Sequence, residues 1–323
     1  MTAPATISTF TGVGAQRLLH GPWRVVVTGA GGWLGLATLE MLSGLFRETF
    51  EARVAAFGAS ARVLTLRGGL RVEQQGLDRL GDLPPEPSLV FHNAFLTQEK
   101  ARLMSDEAYE VANRAISAQV MTALDNIGAE AVFLPSSGAV YMVEQPSAEI
   151  SKQIYGRLKL EDETQFAKWA ADRGRAAVIA RVFNLSGPYI NKQSSYALAS
   201  FIADALAGRP ITIRADRPVV RSYVAIAELM SLVVGALTEP APTAMMFDTA
   251  GDGVYEMAQV AEIVQEALGR KLGVDRPAMR EGAPDRYVGD GAVYRALRHR
   301  LGVAACGFPD QVKETARFMA QSP

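Results

Sequence analysis

The sequence predicts an α/β fold, a doubly wound parallel sheet with a smaller C-terminal α/β domain, and three observations predict it. RVVVT (24–28) is a continuous apolar run and does not alternate, the mark of a strand buried on both faces. TGAGGWLG (28–35) follows it directly and opens into LATLEMLSGLF (36–46), whose apolar residues recur at helical spacing. Strand-like and helix-like stretches then alternate along the chain, as repeated βαβ units require. In order these are RVAAF (53–57), a third strand near LRVEQ (70–74), SLVFHNA (88–94), a helix over 105–127, AVFLPSS (131–137), a helix over 154–172 and AVIARVF (177–183). After residue 185 the elements shorten and are punctuated by Gly-Pro (187–188), Arg-Pro (209–210, 217–218) and Pro-Ala-Pro (240–242). These changes divide the chain into an extension (1–22), a dinucleotide-binding domain (23–185) and a smaller substrate-binding domain (186–323), with some chain exchange between the last two.

Composition excludes several classes of function. Lys and Arg number 33 against 34 Asp and Glu, a formal charge of −1, and no run of like charges marks a tail, so nucleic acid is not an expected partner. A small-molecule substrate is. The single cysteine, Cys306, forms no intramolecular disulfide, and His20, His92 and His299 are scattered without metal-ligand spacing, so no metal is expected. No basic segment followed by an apolar one opens the sequence, and the most apolar later stretch carries Glu228 and is too short to span a bilayer, which makes a cytoplasmic protein without a membrane partner the expectation.

Thr28, Gly29, Gly32 and Gly35 form T-G-x-x-G-x-x-G between a buried strand and a helix start. Backbone without Cβ atoms can approach a pyrophosphate closely, and the helix N-terminus offers unpaired N–H groups and partial positive charge. This is the phosphate turn of a Rossmann-type sheet, with the backbone of Trp33 and Leu34 covering the ligand and Gly35 allowing helix and strand to pack. Leu34 stands where a G-x-G-x-x-G counted from Gly29 needs its last glycine, which points to one subclass of these folds. The end of the second strand, AAFGASAR, has no acid to accept bonds from the adenosine ribose. Ser60 and Arg62 could hold a 2′-phosphate there, so NADP(H) is modestly favoured over NAD(H); Arg62 also reads as one more solvated arginine.

Tyr155 and Lys159 stand at i and i+4, one turn apart on one helix face. An ammonium beside a phenol lowers its pKa and lets tyrosine exchange a proton near neutral pH. The pair follows a strand ending in Ser136-Ser137, 18 residues after Ser137, and that strand follows the glycine turn in the order such chemistry needs.

With these residues in place the chain resembles the extended short-chain dehydrogenase/reductase family, the NAD(P)-dependent nucleotide-sugar epimerases, dehydratases and reductases. The resemblance rests on TGAGGWLG (28–35), VFHNA (90–94), Asn113 within VANRAI, SSGAVY (136–141), YGRLK (155–159), RVFNLSGP (181–188) and RSYVAIAEL (221–229), and covers nearly the whole chain. It implies that Ser137 hydrogen-bonds the reacting oxygen and Tyr155 exchanges a proton with it. Lys159 would lower the tyrosine pKa and bond the nicotinamide ribose, and Asn113 would support a proton relay. Asn93 and Ala94 would line the cofactor groove, with His92 beside them, and Asn184 and Arg221 would meet the substrate diphosphate. A homodimer through the helices at 105–127 and 154–172, and a place in polysaccharide biosynthesis, follow from the resemblance alone.

Departures from the family narrow the reaction. Gly138 and Ala139 stand where 4,6-dehydratases carry an acidic pair, and the single distant cysteine disfavours 3,5-epimerase chemistry. Met142 replaces the usual glycine after Val-Tyr. The leading expectation is NADPH-dependent reduction of a nucleotide-linked 4-keto sugar. The alternatives are an NAD-dependent 4-epimerase using the same residues and a non-catalytic dinucleotide-sensing protein.

Overall fold

The computed structural model describes residues 8–146, 148–193, 195–241 and 244–321. Its centre is an eight-stranded sheet made of β1 (Arg24–Thr28), β2 (Val54–Gly58), β3 (Arg62–Thr65), β4 (Arg71–Gly76), β5 (Ser88–His92), β6 (Ala129–Ser137), β7 (Ala176–Val182) and β8 (Ala244–Asp248). The spatial order is β8-β7-β6-β5-β1-β2-β4-β3, parallel throughout except for the antiparallel β3–β4 pair. The order reverses at β1, which lies between β2 and β5, so the crevice at the carboxyl ends of these strands is where such sheets take ligands. β1 and β5 are buried along their whole length, as their unbroken apolar runs predict.

The main helices are α1 (Val13–His20), α2 (Trp33–Phe46), α3 (Asp106–Asn126), α4 (Ile150–Arg173), α5 (Ala197–Leu206), α6 (Ile226–Leu237), α7 (Met257–Ala267), α8 (Ala292–Arg300) and α9 (Phe308–Gln321). Two apolar cores lie on opposite faces of the sheet. One joins α2 and α6 to the sheet around Val25, Leu39 and Leu229, and the other joins α3 and α4 around Val26, Val120 and Trp169. A third core, around Ile202, Val260 and Val312, holds α5, α7 and α9 together. The extension is packed where the structure describes it: Leu18 on α1 is fully buried, and a Cβ on Gly14 would lie 2.4 Å from Gly235 Cα, so α1 and α6 touch backbone to backbone. Sequence reasoning missed two strands of this sheet, β3 and β8, and the short strands beyond residue 184. β8 comes from beyond residue 185 yet completes the large sheet against β7. Among the described residues no helix is long and apolar enough to cross a membrane.

Candidate active site

The glycine turn is built as its spacing predicts. Gly29 has φ +62°, and a Cβ there would lie 2.6 Å from Ala94 N, while one on Gly35 would lie 2.4 Å from Gly29 O. The first position needs glycine for its left-handed backbone, and both need it for close approach. α2 begins at Gly32 with no side-chain cap, so its first-turn N–H groups stay available to an anion. Gly29, Gly32, Trp33, Leu34 and Gly35 line a cavity of about 820 Å³. Asn93 lines it too, and both polar atoms of its amide are buried with no partner. A tight glycine cradle, an uncapped helix start and an orphaned amide together fit a dinucleotide. Ala94 packs on Gly29 and donates its N–H to Thr28 Oγ1 at 3.3 Å. His92 is held by Thr28 Oγ1 at 2.9 Å, and burial drops its pKa to about 3, so it is neutral and no proton carrier near pH 7.

Ser137, Tyr155 and Lys159 converge on the same cavity. β6 delivers Ser137 at its carboxyl end, and α4 presents the other two on one face, as an i, i+4 pair must be. The expected lowering of the tyrosine pKa is not what this arrangement produces. Burial pushes the Tyr155 phenol up, the neighbouring hydroxyls of Tyr287 and Tyr109 add to the rise, and Ser137 opposes it. Lys159 Nζ instead donates to Pro135 O at 3.0 Å and sits 3.6 Å from the Phe95 ring centroid, farther than that from Tyr155, whose ring centroid lies 6.0 Å away. Burial also draws the Lys159 pKa down to about 8, against the pull of Asp162 and Glu163.

That value has a kinetic consequence. The ammonium fraction of Lys159 falls as pH rises through about 8, so a step that needs the charged form loses rate above that pH. Asp162→Asn removes a carboxylate that holds the proton on and is expected to move the falling limb to lower pH. A kcat/KM profile over about pH 6 to 10 reads both effects.

Behind the trio lies a polar network that is buried at Ser136 and Glu163 and reaches solvent at Tyr141. Ser136 Oγ donates to Glu163 Oε1 at 2.5 Å, and Arg181 clasps the same carboxylate through Nε at 2.9 Å and Nη2 at 2.6 Å. Arg181 Nη1 donates to Tyr141 OH, which donates in turn to Asp248, and Asp248 accepts the Asp290 N–H. The network ties β6, α4, β7 and β8 to the segment that follows Tyr287. Ser136 is therefore an anchor, unlike Ser137, whose Oγ has no such carboxylate partner and lies 3.3 Å from Tyr287 OH.

The other expected residues divide. Asn113 is buried on α3, where its Oδ1 accepts Leu96 N–H at 2.8 Å and its Nδ2 donates to Tyr109 O at 3.1 Å. Its polar atoms are occupied by backbone, which ties α3 to the segment that carries Phe95. Asn184 and Arg221 line the cavity. Asn184 donates to Ser222 O, and Arg221 is ion-paired with Asp285 at 3.2 Å. Trp33 donates its ring N–H to Pro188 O at 2.7 Å and meets Tyr196 edge-on, bridging the sheet and the smaller core. Ser60 and Arg62 stand outside the cavity lining, Arg62 beside Gly31 of the turn and Ser60 accepting from Gln74 through its backbone oxygen.

Of the cavity residues that were not foreseen, Tyr287 and Phe95 touch the trio itself. Tyr287 places its hydroxyl 3.3 Å from Ser137 Oγ, and Phe95 packs edge-on against Tyr155 at 5.6 Å. Tyr287 arrives on a three-residue strand paired with 219–221, a register that no local pattern announces. Glu163 did carry a signal, because 155, 159 and 163 fall on one helix face.

Residues 25–246 match the NAD dependent epimerase/dehydratase family. UDP-glucuronic acid decarboxylase 1 of Arabidopsis thaliana is 25% identical over 273 residues, 80% of this chain and 60% of its own length. The chain thus spans less than two thirds of that curated relative. Among solved structures, a UDP-N-acetylglucosamine 4-epimerase from Methanobrevibacter ruminantium in complex with UDP-N-acetylmuramic acid superposes with TM-score 0.69 at 19% identity, covering 93% of this chain and 98% of that one. The UDP-glucose 4-epimerase of Thermus thermophilus, in complex with NAD, gives 0.66 at 21% identity, covering 93% and 100%. At such identity the structures establish a shared fold. With the family match extending from β1 into β8, the chain belongs to the NAD dependent epimerase/dehydratase family.

Proposed function

We propose that this protein is an NAD(P)-dependent oxidoreductase of nucleotide-diphosphate sugars, and that it reduces a nucleotide-linked 4-keto sugar with NADPH. One observation carries the reading: Ser137, Tyr155 and Lys159 line a single cavity with the uncapped glycine turn, and Asn184 and Arg221 line it too. The nicotinamide, when bound, supplies the hydride. Tyr155, kept protonated by burial, gives its phenolic proton to the oxygen formed from the ketone. Ser137 Oγ donates a hydrogen bond to that oxygen and holds it in line with the phenol. Lys159 would bond the ribose hydroxyls of a bound dinucleotide, and its positive charge would favour the negative charge that develops on the reacting oxygen. The phenol, kept above its ordinary value by burial, holds its proton at neutral pH and so is in the donor state when a ketone arrives.

A 4-epimerase that keeps NAD bound is the second reading, favoured by the solved 4-epimerases that share the fold. The two differ in whether reductant is consumed. Denaturing the purified protein and identifying the released dinucleotide by mass spectrometry, together with NADPH oxidation on a 4-keto nucleotide sugar, separates them. Stoichiometric NAD with no net oxidation means the epimerase. Oxidation matched to product means the reductase. Arg62→Ala is expected to weaken NADPH far more than NADH in fluorescence titrations, and equal losses remove Arg62 from the site. The division into dinucleotide-binding and substrate-binding parts, and a homodimer joined through α3 and α4, belong to the same proposal.

A further inference from the structure

Beside the glycine turn, outside the cavity lining, lies a buried acceptor that the proposed reaction does not use. Gly58 ends β2 where dinucleotide folds commonly place an acid for the ribose hydroxyls, and its missing side chain is replaced in space by a neighbour's. A Cβ on Gly58 would lie 2.4 Å from Cδ of Gln74, which projects from the adjacent strand β4. Gln74 is buried, at 4% exposure, and its Nε2 donates to Ser60 O at 2.7 Å. That bond fixes which way the amide faces. The opposite atom, Oε1, is buried with no partner, and it lies 3.2 Å from where a Cβ on Gly31 would stand. Arg62, the cross-strand partner of Gln74, brings Nη2 to within 1.8 Å of the same point and forms no ion pair among the described residues. Both side chains therefore converge on Gly31, inside the glycine turn itself. A buried acceptor without a donor is costly, and a ligand hydroxyl is the group that would relieve it.

We infer that Gln74 selects the dinucleotide at the adenosine ribose, taking the role the missing acid would have played. Its Oε1 accepts the proton of a 2′-hydroxyl, as a carboxylate would. Being neutral, it does not repel a 2′-phosphate, which Arg62 binds from the same hairpin through its donor fork. A carboxylate in its place would repel that phosphate and pair with Arg62, removing the phosphate's partner twice over. This inference rests on the proposed dinucleotide chemistry of the site.

The test titrates NADPH and NADH separately into full-length protein stripped of bound dinucleotide, following fluorescence, with circular dichroism to establish that each variant folds. Gln74→Glu is expected to weaken NADPH by at least about tenfold, because like charges are brought together, while NADH binds as well as before or better. Gln74→Leu, which removes the acceptor and adds no charge, is expected to weaken NADH severalfold and leave NADPH nearly unchanged. Should the Gln74→Glu chain fail to fold, the Gln74→Leu ratio decides alone. A ratio of the two dissociation constants that stays within about twofold of the parent in the folded variants overturns the assignment of Gln74 and leaves the dinucleotide reading intact. Failure of the parent protein to bind either dinucleotide overturns both.

Discussion

Tyr155→Phe is expected to reduce turnover by about 10²- to 10⁴-fold, the range a positioned proton donor contributes. The substitution removes one oxygen and keeps the ring, so the edge-on contact with Phe95 and the packing of α4 survive. Lys159 does not depend on that hydroxyl, since Nζ is held by Pro135 O. Dinucleotide affinity should therefore stay close to the parent value. Single-turnover kinetics beside a dinucleotide titration makes the separation: chemistry slows and binding does not. Full turnover in the variant would remove Tyr155 from the proton path and move attention to Tyr287, the other phenol at Ser137 Oγ.

The largest effect on stability is expected at Glu163. Its carboxylate is 3% exposed and takes bonds from Ser136 and from both Nε and Nη2 of Arg181, itself only 18% exposed. Removing one partner of a buried pair leaves the other charge desolvated without compensation, a loss of about 3–5 kcal/mol. Glu163→Ala should show that loss in urea unfolding. Glu163→Leu combined with Arg181→Leu should recover much of it, because no charge is then left buried. A loss below about 1 kcal/mol for the single substitution would mean that the pair behaves as if solvated. The carboxylate also helps hold the proton on Lys159, so the folded fraction of Glu163→Ala should lose activity at lower pH than the parent.

The parts of this site legible in the sequence are those whose meaning is local. β1, the glycine turn and the start of α2 occupy consecutive residues, and Tyr155 with Lys159 is a single helical turn. What was not legible depends on partners far along the chain. β3 is largely exposed, flanked by Ala-Ser and Gly-Gly, and too short for its alternation to stand out. β8 follows a proline-rich stretch that reads as a loop, and only its pairing with β7 makes it a strand. The raised phenol of Tyr155 could not be read from spacing either. Proximity to a lysine suggests a lowered pKa, but burial and the hydroxyls around the ring decide the sign. Arg221 shows the same limit, for Asp285 comes from 64 residues away to hold it.

The crossing of β8 into the large sheet bears on how such a chain can diversify. β8 lies in the span that carries Arg221 and Tyr287, yet it closes the edge of the sheet, and Asp248 at its end anchors both Tyr141 and the backbone of Asp290. α6, from the same span, covers one sheet face and carries α1 on its back. A recombination point near residue 185 would part β7 from its neighbour and strip α1 of its support, so this architecture cannot exchange the residues after 185 as a cassette. New specificities have to arise by substitution within the loops and short strands that line the cavity, with the sheet inherited whole.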